Sequence, residues 1–357
     1  MDERFFILTI NPGSTSTKIA VFENEKQLFS HSIKHAIEEV EKFKEITDQY
    51  EFRKKVIEST LKDNGFSKKK LHAIVARGGP LKPLVSGTYI INEKMVDDLR
   101  YRPAARHISN LAAIIAFEMV KEYSIPCYIV DPVSVDEFEP LARLTGIPEL
   151  ERVSLGHALN IKAVAREAAK QLQKKLNDLN LIIAHLGSGI SICPLKKGKM
   201  IDVNNANESG PMAAERAGAL PASSLVKLCF SGKFTKEELL SKITKKGGLA
   251  GHLGTTDLAE VERRITATDK KAKLVFETMA YQIAKEIGAM ATVLKGQIDA
   301  IVITGGMAHS KLLLSLIGER IGFISKMLVI PGENELKALA LGGYRVLTGQ
   351  ESARDYV

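Results

Sequence analysis

The chain has 357 residues, 45% hydrophobic and 26% charged, with a formal net charge of +8, a globular composition long enough for two ordinary domains with sizeable cores. Its lysines sit in short groups such as Lys68 to Lys70 and Lys245-Lys246, with no interleaved aromatics and no Trp; this reads as solvated basic surface and argues against a nucleic-acid face. Three cysteines, Cys127, Cys193 and Cys229, are too few and too scattered for a disulfide framework or a metal knot, and apolar neighbours mark each as a reduced, buried small hydrophobe. No apolar run reaches the length of a membrane span and no signal core precedes Phe5, so a cytoplasmic chain without membrane contact is expected.

In chain order, the pattern predicts strands over 5–10 and 18–22, then charged sequence with apolar punctuation over 34–62 that reads as a pair of surface helices. Strands follow over 72–76 and 127–130, with a helix over 109–122 between them, started by Ser109 or Asn110. A long helix over 160–177 carries the stripe Ile161, Val164, Ala165, Ala168, Leu172 and Leu176. Three successive strands are expected over 181–203. Phe276, Met279, Ile283, Ile287, Met290 and Leu294 stripe another long helix, ended near Gly296. Strands over 300–304 and 327–330 and a last helix over 334–347 complete the reading. Alternating strands and helices indicate an α/β fold.

The most informative stretch is Asn11-Pro-Gly13-Ser14-Thr-Ser16-Thr-Lys18, a glycine and hydroxyl turn between two apolar β-runs. Gly13 permits close backbone approach, and the hydroxyls, the N–H groups and the Lys18 ammonium offer donors without fixed negative charge, as a polyphosphate requires. A polar hairpin turn alone would look the same. A second turn, His185-Leu-Gly187-Ser188-Gly189, lies about half the chain further on and also runs strand, glycine-hydroxyl turn, strand. Both are followed by a charged hairpin signal. The weak repeat suggests two related lobes, each presenting a phosphate loop. A third buried-type strand ends in Thr304-Gly305-Gly306.

These residues resemble the two phosphate motifs and the adenosine motif of the superfamily of acetate and sugar kinases, heat-shock chaperones and actin. Within it the chain is similar to the acetate kinase family, most closely its butyrate kinase branch. Supporting segments, in the family's order, are Ala76-Arg77-Gly78-Gly79, His107-Ile-Ser-Asn110, Val130-Asp131-Pro132, Gly156-His157-Ala158, Glu215-Arg216-Ala-Gly218 and Pro331-Gly-Glu-Asn334-Glu335. The resemblance implies two ribonuclease H-like lobes, a duplicated actin-like ATPase fold, around a nucleotide cleft. The lobes would span 1–152, with a C-terminal helix of about 340–357 returning to it, and 153–339.

It also implies site roles. Arg216 would donate to the transferring phosphoryl group, His157 would hydrogen-bond it, and Arg77 would face the acid's carboxylate. Asn11, Ser14, Ser16, Lys18, His185, Gly187, Ser188, Gly189, Gly305 and Gly306 would bind ATP or ADP. Asn11 and Glu335 would hold Mg²⁺, with Asp131 as a supporting or catalytic carboxylate; one or two carboxylates suffice for an ion that borrows phosphate oxygens. Read from the residues alone, Arg216 could be a surface arginine, His157 a capping histidine, and His185 a core histidine. Against the acetate kinases, this chain has Ile74 where they carry an arginine, Arg77 where they carry a histidine, and Ser188 where they usually carry asparagine.

The expected activity is reversible phosphorylation of butyrate by ATP to butanoyl phosphate, with acetate and isobutyrate as alternative acids. The expected partners are a short-chain fatty acid, ATP and a second copy of the chain, as a homodimer or larger homo-oligomer. An actin-like binding module on the same scaffold is the reading from another class. A sugar kinase would need a carboxylate base, for which Asp131 is the only motif-placed residue.

Overall fold

The computed structural model describes residues 3–357. They form two compact units. One runs up to Asp136 and resumes at Asn334–Val357; the other is Glu137–Glu333.

The first unit is built on six strands, β1 (Phe6–Gly13), β2 (Ser16–Glu23), β3 (Lys26–Lys34), β4 (Ala73–Ala76), β5 (Thr88–Ile90) and β6 (Cys127–Val130), in the order β3-β2-β1-β4-β6-β5. β1, β2 and β3 pair antiparallel, whereas β1, β4 and β6 run parallel. The parallel strands are short runs buried throughout, as sequence covered on both faces must be. Strand alternation explains how. Leu8, Ile10, Ile74 and Ile129 join one core with Leu111, Ile114 and Ile115 of the helix Asn110–Val120. The helix Glu335–Leu347 lies on the other face: a Cβ on Gly343 would come 2.5 Å from Val75, and one on Gly342 would come 2.4 Å from Val130. Two glycines thus let this helix backbone approach the sheet closely. Beyond it, Tyr356 donates its hydroxyl to Asp98 Oδ2 at 2.9 Å, fixing the end of the chain on the same unit.

The second unit repeats the plan. Its strands are β7 (Asn180–Leu186), β8 (Ile190–Lys196), β9 (Lys199–Met200), β10 (Ala300–Gly305) and β11 (Met327–Pro331), in the order β11-β10-β7-β8-β9. β7, β8 and β9 are antiparallel and β7, β10 and β11 parallel. Order and direction match β6-β4-β1-β2-β3 strand for strand, so each unit is one copy of a duplicated fold. Ile182, Ala184, Ile301 and Ile303 share a core with Phe276, Met279 and Ile283 of the helix Lys270–Val293, while Ala158–Gln171 packs on β7 and β10.

Several expectations change. The division falls at 136/137 and 333/334, where 152 and 340 were expected. Glu137 explains the first shift: its carboxylate accepts from Lys162 Nζ at 2.8 Å and from the Met200 N–H at 2.8 Å, which binds the chain to the second unit from that residue on. The expected helix pair over 34–62 is a short helix, Ile37–Val40, followed by Tyr50–Asp63, whose Arg53, Ile57 and Leu61 are buried. The third strand over 181–203 has two residues. The helix expected over 160–177 ends at Gln171, and Gln173 follows in the left-handed region at φ 54°. β3, β5 and the helix Glu93–Tyr101 lie outside the predicted elements. Cys127 and Cys193 are buried, and burial pushes the Cys127 thiol up to about 12. Cys229, expected to be buried, is exposed, because the helix Ala222–Cys229 buries no residue. No helix is long and apolar enough to cross a membrane.

Candidate active site

In the first unit, β1 and β2 are joined by a two-residue turn, Ser14 and Thr15, with Gly13 opposite Ser16 and Asn11 opposite Lys18. Ser14 and Thr15 are exposed, as is Lys18. Next to β1, the Arg77 N–H donates to Ile10 O at 2.9 Å, which continues the β4 ladder and puts the Arg77 side chain at the strand end. There it meets Glu335, the first residue of the returning helix. Arg77 Nη1 pairs with Glu335 Oε1, and Asn11 Nδ2 donates to Glu335 Oε2 at 2.6 Å. Three of the sequence-predicted residues, from three distant segments, therefore form one cluster. Glu335 uses one oxygen on each partner, and Arg77 keeps further N–H groups of its planar fork. Both side chains remain partly exposed, at 31% for Arg77 and 25% for Glu335, so a ligand can reach them.

Asp131 ends β6 at φ 39°, a left-handed conformation uncommon for a residue with a side chain. It is fully buried. Its Oδ1 accepts from the Gly87 N–H at 2.8 Å while its own N–H donates to Gly87 O at 3.0 Å. The resemblance implies a catalytic or metal-supporting carboxylate here; in the structure its Oδ1 also fastens the loop at Gly87. His107, in a segment that accompanied the motifs, bonds Ser109 Oγ through Nδ1 at 2.7 Å. Burial and then the Arg77 charge hold its pKa below the usual histidine value.

The second unit assembles the other predicted residues. His157 stands just before the helix Ala158–Gln171, and its ring stacks on His185 with centroids 4.1 Å apart and planes at 23°. His157 Nδ1 lies 3.0 Å from Ser191 Oγ of β8. His185, near the end of β7, lies 3.0 Å from Asn160 Oδ1 through Nδ1 and 3.1 Å from Glu333 Oε1 through Nε2. Three of the pair's four ring nitrogens are thus placed by neighbouring side chains. The turn 187–189 follows immediately. Its Ser188 O accepts the Glu215 N–H at 3.2 Å, which fixes the Arg216 segment beside it. Added Cβ atoms show how close the approach is: one on Gly189 would lie 3.3 Å from Arg216 Nε. The Arg216 Nε is buried with no hydrogen-bond acceptor among the described residues. Burial lowers its pKa from the ordinary value, opposed by Glu215.

Gly305, at φ 91°, closes the third motif. A Cβ there would meet Leu186 O at 2.3 Å, so this position requires glycine and sets β10 hard against the end of β7. The turn, the Gly306 segment, Ala214, Glu215, Asp257, Glu262, His309 and Glu333 enclose a cavity of about 520 Å³. A second opening, about 560 Å³, is lined by Asn207, Glu215, Arg216, Thr244 and Lys245. Glu215 and Arg216 border it, and Glu215 borders both openings. A nucleotide is of the size the first would take.

No group of three or more His, Cys, Asp or Glu able to hold a metal occurs among the described residues. One carboxylate, Glu335, and the Asn11 amide oxygen offer hard oxygen donors, a set that fits a magnesium ion completing its shell with phosphate and water. Sequence reasoning missed Glu333, Asn160 and Ser191. Glu333 lay inside a quoted segment, Pro331-Gly-Glu-Asn334-Glu335, but its contact with His185 depends on folding.

The acetokinase family model matches residues 155–325. The chain is 49% identical over 354 residues to butyrate kinase 2 of Clostridium acetobutylicum, covering 99% of each. It is 49% identical over 352 residues to a probable butyrate kinase 2 of Caldanaerobacter subterraneus subsp. tengcongensis, again covering 99% of each. Among solved structures, the acetate kinase of Porphyromonas gingivalis superposes with a TM-score of 0.81 at 21% identity, over 96% of this chain and 100% of that one. A propionate kinase from Francisella tularensis gives 0.74 at 20%, over 95% and 98%. These two show the fold.

Proposed function

The chain belongs to the acetokinase family, and on that premise we propose that it phosphorylates butyrate with ATP, giving butanoyl phosphate and ADP reversibly. The observation that carries this reading is 49% identity along nearly the whole chain to butyrate kinase 2. The acid is ionised at neutral pH, so its oxygen attacks the γ-phosphorus without a base. No carboxylate base is therefore required of Asp131, whose Oδ1 accepts from the Gly87 N–H.

Phosphoryl transfer asks the protein for position and for neutralisation of the equatorial oxygens. Arg216 serves the second need, because its unpartnered Nε–H and the fork beside it lie against the turn that would hold the phosphates. His157, braced by Ser191 and stacked on His185, donates to the same group. Lys18 adds a flexible ammonium. The 187–189 turn, Gly305 and Gly306 hold the nucleotide. Arg77 orients the butyrate carboxylate with the N–H groups that Glu335 leaves over. Asn11 and Glu335 would hold Mg²⁺ through oxygen. When bound, that ion would draw charge from the phosphate oxygens.

The test is ATP synthesis from butanoyl phosphate and ADP with Mg²⁺. Steady ATP production supports the reading. None, with ADP binding intact, rejects it. Faster synthesis from acetyl or isobutanoyl phosphate retains the chemistry and changes the acid.

A further inference from the structure

Arg53 is the largest fully buried side chain among the described residues, yet no carboxylate is among its hydrogen-bond partners. Charge buried without a counter-ion is costly unless every donor is used. Here the donors are used on one object. Nη1 donates to Gly13 O at 2.9 Å and Ser16 O at 2.8 Å, and Nη2 donates to Ser14 O at 2.9 Å. Nη1 also reaches Thr17 Oγ1 at 3.0 Å. Nε and Nη2 both donate to Gln49 Oε1, at 3.0 and 2.8 Å, which aims the fork from the residue just before its helix. The remaining carbonyl of the turn, Thr15 O, accepts the His35 N–H at 2.9 Å. Four consecutive carbonyls, 13 to 16, are therefore held from behind.

A trans peptide points its C=O and the following N–H to opposite sides. Holding the carbonyls of Gly13 and Ser14 therefore turns the N–H groups of Ser14 and Thr15 to the side away from Arg53. Those two residues are exposed. Successive N–H groups aimed one way make an anion-binding concavity. We infer that Arg53 is a positioning residue for nucleotide phosphate: it fixes the β1–β2 turn so that the Ser14 and Thr15 N–H groups face the phosphate oxygens. This rests on the phosphotransferase reading, which makes the Asn11 to Lys18 run a phosphate loop.

The test compares ATP and adenosine affinities of wild-type protein, Arg53→Lys, Arg53→Met and Gln49→Met, with melting curves to count the folded fraction. Arg53→Lys is expected to weaken ATP about tenfold, the scale of a lost charge-assisted hydrogen bond, with adenosine affinity and the KM for butyrate unchanged. Arg53→Met loses more than Lys, and Gln49→Met, which only loosens the fork, loses roughly threefold. Should Arg53→Met fail to fold, the Lys and Gln49 variants decide. ATP affinity equal to wild type in both, with only the melting temperature lowered, overturns the proposal and leaves Arg53 a structural residue. Wild-type protein that binds ATP but makes no butanoyl phosphate rejects the proposed reaction, while the ATP affinities still read Arg53. Wild-type protein that binds no ATP rejects both.

Discussion

The turn between β1 and β2 has its arginine behind it, and the turn between β7 and β8 has its arginine beside it. Arg53 is fully buried and all its donors end on carbonyls, Thr17 or Gln49. Arg216 is half-buried, and its Nε has no acceptor among the described residues. Both turns join equivalent strands of the same fold, so strand topology does not distinguish them. Hydrogen-bond satisfaction does. A saturated cation can only hold backbone in place, whereas one with an unmet buried donor is stabilised by a ligand that brings an oxygen. The duplicated plan thus carries a braced turn in one unit and, beside the matching turn of the other, a cation with an unmet buried donor.

That contrast can be broken most sharply at Arg216. Arg216→Gln removes the cation that would meet the transferring phosphoryl, and kcat is expected to fall by about a thousandfold or more. The melting temperature should stay at or above wild type, because an unsatisfied donor leaves with the side chain. Steady-state kinetics with a parallel melt reads both. A large loss of stability would instead assign Arg216 a structural role like that of Arg53.

A paired glycine experiment sharpens the same contrast at intermediate size. Gly189→Ala places a methyl 3.3 Å from Arg216 Nε and from Ala206 Cβ, so the guanidinium must shift; kcat should drop roughly tenfold or more, as misplaced groups cost. Gly13→Ala meets chiefly the Ser16 hydroxyl, at 3.2 Å, a movable atom, and should change stability by less than about 1 kcal/mol with kcat near wild type. Equal effects at both positions would erase the distinction between the turns.

The smallest effect is a pH dependence of the first turn. Thr17 Oγ1 lies 2.8 Å from His35 Nε2, and burial, then the Arg53 charge, hold the His35 pKa below its ordinary 6.5. A histidine depressed in the folded state takes up its proton more readily when unfolded. Its contribution is present above the unfolded value and is lost as pH falls below about 6.5. Urea unfolding at about pH 8 and about pH 5.5 should show this loss, and His35→Gln should flatten it. An unchanged slope in that variant would place the titration elsewhere.

Much of this was legible in sequence because it is local. The glycine-hydroxyl turns, the apolar runs of β1, β4, β7 and β10, and the stripe of Lys270–Val293 are set by neighbours in the chain. Cys229 and β5 escaped for the opposite reason, since exposure and short edge pairing depend on what the rest of the chain covers. The cluster of Asn11, Arg77 and Glu335 could be named from motifs, yet the bond from Asn11 to Glu335 spans 324 positions. Arg53 was illegible altogether: in a lysine- and glutamate-rich helix it looks like any surface cation, and only the fold shows four carbonyls gathered around it and His35. Asp131 was legible as a motif residue, but its burial and its bond to the Gly87 N–H do not show in a strand-ending Val-Asp-Pro.

The most direct measurement is acyl phosphate formation from ATP and Mg²⁺, trapped with hydroxylamine, across straight acids from formate to valerate plus isobutyrate and isovalerate. Strong hydroxamate formation that peaks at butyrate is the expected result. No hydroxamate with any acid, in protein that demonstrably binds ATP, would contradict it.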